Sequence, residues 1–303
     1  MIEYGTAQPV GSAVAQLGEC PLWSVAEQAL YWVDISGRAI HRFNPGTRAA
    51  SMWPMPSEPG CMALAESGGL IVALRHGFCR FDPVTGAVAK IADAPYDPAQ
   101  YRFNDGRCDA AGRFFAGAMF EARTHERASM FVLENGCVRE AWGPGQGWGV
   151  KVSNGLAFSA DGKTLFQSDT PNHVIHQFDY DAARGAVSNR REFARRPANR
   201  SDPDYGGRPD GAAIDVEGCY WSAQFEGAQV LRYSRDGDVI GRVSVAARRT
   251  TMVAFGGKDL QTMFITTARE GATEDEVARF PNAGRLFAIR LPMAGRAEPL
   301  YRD

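Results

Sequence analysis

The stretch Ser153-Asn154-Gly155-Leu156-Ala157-Phe158-Ser159-Ala160-Asp161-Gly162-Lys163-Thr164-Leu165-Phe166 decides the fold. Leu156, Phe158 and Ala160 alternate with small or polar residues, the period of a β-strand. Asp161-Gly162 supplies a tight turn, because both residues tolerate positive φ. Thr164 to Gln167 reads as the returning strand. Asn154-Gly155 is then a second turn-like pair with no hairpin to make, eight residues before Gly162 and at the start of the first strand.

The same arrangement recurs along the chain. Asn104-Asp105-Gly106 stands eight residues before Gly112, Asp210-Gly211 eight before Gly218, Gly60 eight before Gly68 and Glu19 eight before Glu27. Thr251-Met252-Val253-Ala254-Phe255-Gly256-Gly257-Lys258 is a sixth copy with a longer turn. Positions 19, 60, 104, 154, 210 and 251 are therefore equivalent, at spacings of 41, 44, 50, 56 and 41 residues. Repeats of ~40–50 residues holding several short strands indicate propeller blades. The expected fold is all-β, a six-bladed β-propeller of four-stranded antiparallel blades around a central channel, with residues 1–303 as one domain.

Within each repeat a second and third strand follow, such as Leu30–Asp34 and Ala39–Phe43, or Leu70–Leu74 and Gly77–Phe81. Ser12–Leu17 reads as an outer strand that completes the last blade and closes the ring. Three segments break the rhythm. Gly143–Gly149 is a glycine-rich loop, 195–208 is rich in Arg, Pro, Asp and Gly, and Ala268–Ala283 is polar with room for a turn of helix. The first two are expected to border the channel mouth.

Bulk properties exclude several classes. The 303 residues carry 33 Lys+Arg against 35 Asp+Glu, a formal net charge of −2, with no basic excess for nucleic acid. No apolar run approaches ~18 residues, so no membrane helix is expected. Met1-Ile2-Glu3-Tyr4-Gly5 lacks the basic and apolar regions of a signal peptide, and a cytoplasmic location is the default expectation. The six cysteines form no Cys-x-x-Cys pair and read as buried free thiols. No Gly-x-Ser-x-Gly elbow, P-loop or dinucleotide fingerprint occurs.

In a propeller the first strand of every blade lines the channel. The six equivalent positions hold Glu19, Gly60, Asn104, Asn154, Asp210 and Thr251, so two carboxylates and two amides form an oxygen-rich ring. Hard cations take such ligands, and the absence of Cys and His from the set argues against structural zinc. Arg102, two residues before Asn104, offers a planar fork to a substrate hydroxyl or carboxylate. Glu121, at the end of the strand Phe114–Met119, reaches towards the same face. His76, His173 and His176 lack a carboxylate at ligand spacing and read as structural.

Several segments together resemble the regucalcin (senescence marker protein)/gluconolactonase family: Leu17-Gly18-Glu19-Cys20-Pro21-Leu22-Trp23, Arg102-Phe103-Asn104-Asp105-Gly106, Ser153-Asn154-Gly155-Leu156, Pro209-Asp210-Gly211, Phe255-Gly256-Gly257-Lys258 and Thr266-Thr267-Ala268-Arg269. The resemblance implies a six-bladed propeller with one divalent metal ion on Glu19, Asn154 and Asp210. Calcium, zinc, magnesium, manganese and iron are all associated with the fold. It further implies that Arg102, Asn104 and Glu121 contact a sugar lactone, and that the reaction is hydrolysis of an aldonolactone to an aldonic acid. Asp210 is the candidate general base, with a role as ligand alone left open. The rival expectations are a metal-dependent hydrolase of another ester or phosphotriester, and a non-catalytic propeller that binds metal or a partner.

Overall fold

The computed structural model describes residues 1–202 and 205–303, so Pro203 and Asp204 of the 195–208 insert lie outside the described residues. The protein is all-β. Four antiparallel sheets have four strands each, in simple up-and-down order. Their innermost strands are Gly18–Ser24, Pro59–Leu64, Tyr101–Cys108 and Ser153–Phe158. A fifth sheet has eight strands and contains two further strands of this kind, Arg208–Ile214 and Thr250–Gly256, at its opposite ends. These six strands pack side against side in a closed cycle, with Thr250–Gly256 returning to Gly18–Ser24. The arrangement is consistent with a β-propeller.

The eight-stranded sheet exists because one strand serves two neighbours. Ile2–Val14 runs parallel to Val239–Val245, pairing Ile2 with Gly241 and Thr6 with Ser244. It then runs antiparallel to Arg285–Arg290, pairing Gln8 with Ala288 and Val10 with Leu286. The N-terminal strand thus closes the last blade as expected, but over Ile2–Val14 rather than Ser12–Leu17. The expected segment was displaced because the true strand is largely exposed and carries no clean apolar alternation.

Middle strands such as Ala29–Asp34, Leu70–Leu74 and Phe114–Phe120 are buried along their whole length. They read as continuous apolar runs because sheets cover both faces. The core lies between adjacent sheets. One cluster gathers Tyr31, Ile71, Phe78, Phe103 and Phe114, and another stacks Phe115, Trp142, Leu165 and Phe178.

The turn-like dipeptides acquire a structural reason here. Every innermost strand breaks register at the repeat position: between Glu19 and Leu22, Pro59 and Cys61, Phe103 and Gly106, Asn154 and Ala157, Pro209 and Ala212, and Thr250 and Met252. These are β-bulges, which re-aim a side chain and interrupt pairing. Gly155 has φ +57, and a Cβ there would run into Ser168 Oγ and the Tyr220 hydroxyl, so glycine is required on both counts.

The polar 268–283 segment contains the one α-helix among the described residues, Glu274–Arg279, capped by the Thr273 hydroxyl. No helix among the described residues is long and apolar enough to cross a membrane.

Candidate functional site

The bulges bring four of the six repeat positions together. Glu19, Asn104, Asn154 and Asp210 line one cavity of ≈ 570 Å³ at the axis, together with Arg102, Glu121 and Thr170. Glu19, Asn154 and Asp210 are 5%, 3% and 4% exposed. The other two positions are structural. Gly60 has no side chain, and an added Cβ would run into the Phe103 carbonyl. Thr251 turns away and donates its hydroxyl to the Gly18 carbonyl oxygen, with Thr266 Oγ1 at 2.9 Å.

A directed chain of hydrogen bonds connects the ring. Arg102 Nη1 donates to Asn104 Oδ1 at 2.7 Å and to the Phe103 carbonyl at 2.9 Å. Asn104 Nδ2 donates to Asn154 Oδ1 at 2.7 Å and to the Ser153 carbonyl at 3.0 Å. Asn154 Nδ2 donates to Thr170 Oγ1 at 2.8 Å. The Thr170 side chain also faces Asp210 and favours the charged form of its carboxyl. Asn154 Oδ1 keeps one lone pair free of this network.

The electrostatics are those of a site with too much negative charge. Burial raises the Glu19 carboxyl well above its ordinary value, and the Asp210 and Asp105 carboxylates push it further. Burial likewise raises Asp210 to about 8, helped by Asp105 and opposed by Arg208. Asp105 is itself raised to about 6, mainly by burial. It accepts from the Leu156 amide at 2.8 Å through Oδ2, while its buried Oδ1 has no partner among the described residues. Burial pulls the Arg102 guanidinium down to about 10, with Glu121 opposing and Arg123 and Arg75 reinforcing.

This donor set fits a divalent cation. Two buried carboxylates without an ion-pair partner among the described residues, flanked by an amide oxygen, are the hard oxygen ligands such an ion takes. Like charges held this close in a low dielectric are costly unless a cation compensates them. A second acidic group, Asp215, Glu217 and Cys219, brings its ligand atoms within 4.8 Å of one another. Asp215 is already saturated: Oδ2 accepts from Trp221 Nε1 at 2.9 Å and from Arg232 at 2.7 and 2.9 Å, and Oδ1 accepts two backbone amides. That cluster is a structural ion pair.

The remaining expectations fall as follows. Glu121 lies just beyond Phe114–Phe120, 40% exposed, and Arg75 Nη2 donates to it at 2.6 Å, with Arg102 Nε 3.9 Å away. The Gly143–Gly149 loop does not border the axial cavity. Its Pro144, Gly147 and Gly149 line a separate open cavity with His176 and Arg190. The loop connects outer to inner strand at the rim, where lack of regular structure says nothing about distance from the axis. The 195–208 insert contributes Arg208 to the axial cavity, and the 268–283 segment contributes Ala268, Glu270 and Gly271. His176 packs against Arg190, and burial then this guanidinium lower its pKa to about 4.

Sequence reasoning passed over Thr170, Asp105 and Arg208. Thr170 opens a short 3-10 turn after an apolar strand, and nothing in its local sequence marks it. Asp105 stands within the motif Arg102–Gly106, beside Asn104, and Arg208 is the last residue of the arginine-rich 195–208 insert, immediately before Pro209-Asp210-Gly211.

An axial cavity of buried oxygen donors inside a ring of antiparallel sheets defines a metal-binding class of all-β protein. Comparison narrows this: the chain belongs to the SMP-30/Gluconolactonase/LRE-like family, whose model matches residues 17–269. It is 44% identical to a 6-deoxy-6-sulfogluconolactonase of Pseudomonas putida over 94% of both chains. It is 33% identical to a pentonolactonase of Haloferax volcanii over 97% of both chains. The crystal structure of a regucalcin from Agrobacterium tumefaciens, described as a calcium-binding protein, superposes with a TM-score of 0.92 at 26% identity, covering 100% of each chain.

Proposed function

We propose that this chain is a divalent-metal-dependent lactonase that opens a sugar lactone, an aldonolactone, to the corresponding aldonic acid. The observation that carries the reading is the convergence of Glu19, Asn154 and Asp210, buried, on one polar axial cavity. The lactones named for the two relatives supply the substrate class. We read the sheets as six blades of one domain spanning residues 1–303, with the eight-stranded sheet counted as two blades joined through the shared N-terminal strand. Six unpaired cysteines suit a reducing, cytoplasmic compartment.

Glu19, Asn154 and Asp210 would hold the ion, with calcium, zinc, magnesium, manganese and iron(II) as candidates. Such an ion supplies Lewis acidity at a carbonyl and acidifies water. Asp210 would take the proton of the attacking water as general base. The water oxygen forms the new bond to the lactone carbonyl carbon, the ring C–O bond breaks, and the ring oxygen leaves as a hydroxyl with that proton. At neutral pH the product acid ionises, so each turnover releases one proton. Arg102 and Glu121 offer donors and acceptors to the sugar hydroxyls. Asn104 holds both Arg102 and Asn154 in place, lines the same cavity and would contact the sugar as well. Orienting the ring in this way lowers the entropic part of the barrier.

The test is a pH-stat assay of metal-stripped protein on pentono- and hexonolactones, with the five metals restored one at a time. Rapid acid release on restoring one metal is expected. Full activity in the metal-free protein, or none with any metal, would refute the reading.

A further inference from the structure

The three nitrogens of the Arg107 guanidinium meet three separate segments beneath the axial site. Arg107 lies on the inner strand Tyr101–Cys108, three residues past Asn104. Its Nε donates to the Leu156 carbonyl at 2.9 Å, and its Nη2 donates to the Ala212 carbonyl at 2.7 Å. Leu156 stands two residues after Asn154, inside the bulge of that strand. Ala212 stands two residues after Asp210, where the next bulge closes. One guanidinium therefore joins three consecutive inner strands, just past the residues that carry Asn104, Asn154 and Asp210 to the cavity. Two further bonds fasten the same level. The Leu156 amide donates to Asp105 Oδ2 at 2.8 Å, and the Tyr220 hydroxyl donates to the Gly155 carbonyl at 2.8 Å.

The third nitrogen, Nη1, is ion-paired with Glu298, and both side chains are largely buried. Glu298 belongs to segment 291–303, which crosses the end of the channel away from the axial cavity. Gly295 bridges to Asp215, just past Arg208–Ile214, and Tyr301 bridges to Ala65, just past Pro59–Leu64. The Arg302 amide donates to the Gly112 carbonyl at 3.0 Å. The tip of the segment is held independently: Asp303 accepts from Arg80 at 2.5 Å and from the Ser67 amide at 3.0 Å. Charge-assisted bonds of the Arg107–Glu298 kind are the strong ones. A buried guanidinium that loses its carboxylate is left uncompensated, so Glu298 holds Arg107 to its two carbonyls.

We infer that Arg107 is a positioning residue of the axial site, setting the spacing of the strands that present Asn154 and Asp210, and that Glu298 locks it from the far end of the channel. The inference rests on the lactonase reading above. Arg107 acts through the backbone of its neighbours and touches no substrate. Displacements on the order of 1 Å at a reacting group can cost about a hundredfold in rate, even when they start far from the chemistry.

The experiment measures kcat, melting temperature and the side-chain amide resonance of Asn154 in Arg107→Met, Arg107→Lys, Glu298→Gln and Asp303→Asn. Arg107→Met should lower kcat by about a hundredfold, with Arg107→Lys and Glu298→Gln intermediate. The Asn154 resonance should move in the same order. Asp303→Asn loosens the same segment without touching Arg107, so it should lower the melting temperature while kcat and the resonance stay at wild type. An undiminished kcat with an unmoved resonance in Arg107→Met overturns the inference. So does an Asp303→Asn variant as slow as Glu298→Gln, because the loss then tracks stability alone. If Arg107→Met does not fold, Arg107→Lys and Glu298→Gln carry the same comparison, and wild-type behaviour in both overturns the inference. If wild type opens no lactone, the lactonase reading fails and the resonance decides by itself. A shift in Glu298→Gln that is absent from Asp303→Asn supports the positioning role, and no shift in either removes it.

Discussion

Asn104 Nδ2 donates to Asn154 Oδ1 at 2.7 Å, joining two equivalent positions on adjacent inner strands. The bond fixes which end of the Asn154 amide faces the cavity: the oxygen is presented and the nitrogen is turned to Thr170. Residues that orient a metal ligand in this way commonly contribute 10–100-fold to affinity. Asn104→Ala should therefore weaken divalent-metal binding by about 10–100-fold with little change in secondary structure. Metal titration by calorimetry checks this, and an unaltered affinity would detach Asn104 from the site.

Asp210 and Arg102 should fail differently. Asp210→Ala removes a proposed ligand and the candidate base, and should lower kcat by about a thousandfold or more. Arg102→Ala should chiefly raise KM, since its proposed role is to hold the sugar. The buried position of Arg102 adds some loss of stability. Steady-state kinetics on the preferred lactone separates the two. Near-normal kcat in Asp210→Ala would remove Asp210 from the chemistry.

The metal-free protein should become less stable as pH rises. The Asp210 carboxyl is raised from 3.8 to about 8 in the fold, and burial is the first cause. Between these values the unfolded chain has released its proton and the folded one retains it, so stability falls with increasing pH. Below the unfolded value the contribution is absent, and above about 8 it is complete. Asp105, raised to about 6, acts in the same direction. His176, lowered to about 4 by burial and Arg190, acts oppositely below its ordinary 6.5. The clean comparison is Asp210→Asn with wild type, both metal-free. The variant's advantage in melting temperature should grow from pH 5 to pH 8.5 and vanish on adding metal to wild type. A constant difference would contradict the assigned cause.

The Asp215–Arg232 pair should matter to the fold and not to the metal. Asp215 is fully buried and accepts two bonds from Arg232, one from Trp221 and two from the backbone. Removing one partner of such a pair strands the other. Asp215→Ala should cost about 3–5 kcal/mol in denaturant unfolding. Metal affinity of the folded fraction should stay at the wild-type value. A lost metal site in this variant would move the metal centre to Asp215, Glu217 and Cys219.

The inner strands were legible in the sequence because each carries a bulge that demands small or turn-tolerant residues beside a polar one. Asn154-Gly155 and Asp210-Gly211 advertise that geometry directly. The middle strands were legible as apolar runs. The outermost strands were not. Ala50–Pro54 and Val88–Asp93 are mostly exposed on both faces, so no periodic pattern is imposed on them. The same exposure hid the extent of Ile2–Val14. Within the site, Glu19, Asn154 and Asp210 followed from the repeat, whereas Thr170 and Arg208 did not. They reach the cavity from outside the repeat positions, where only the folded chain brings them to the axis.

The central claim is that Glu19, Asn154 and Asp210 form the metal centre. Anomalous diffraction from crystals of the protein loaded with manganese tests it most directly. One strong peak is expected in the axial cavity, within bonding distance of an oxygen from each of the three side chains. A peak at Asp215, Glu217 and Cys219 instead, or no peak at the axis under saturating metal, would contradict it.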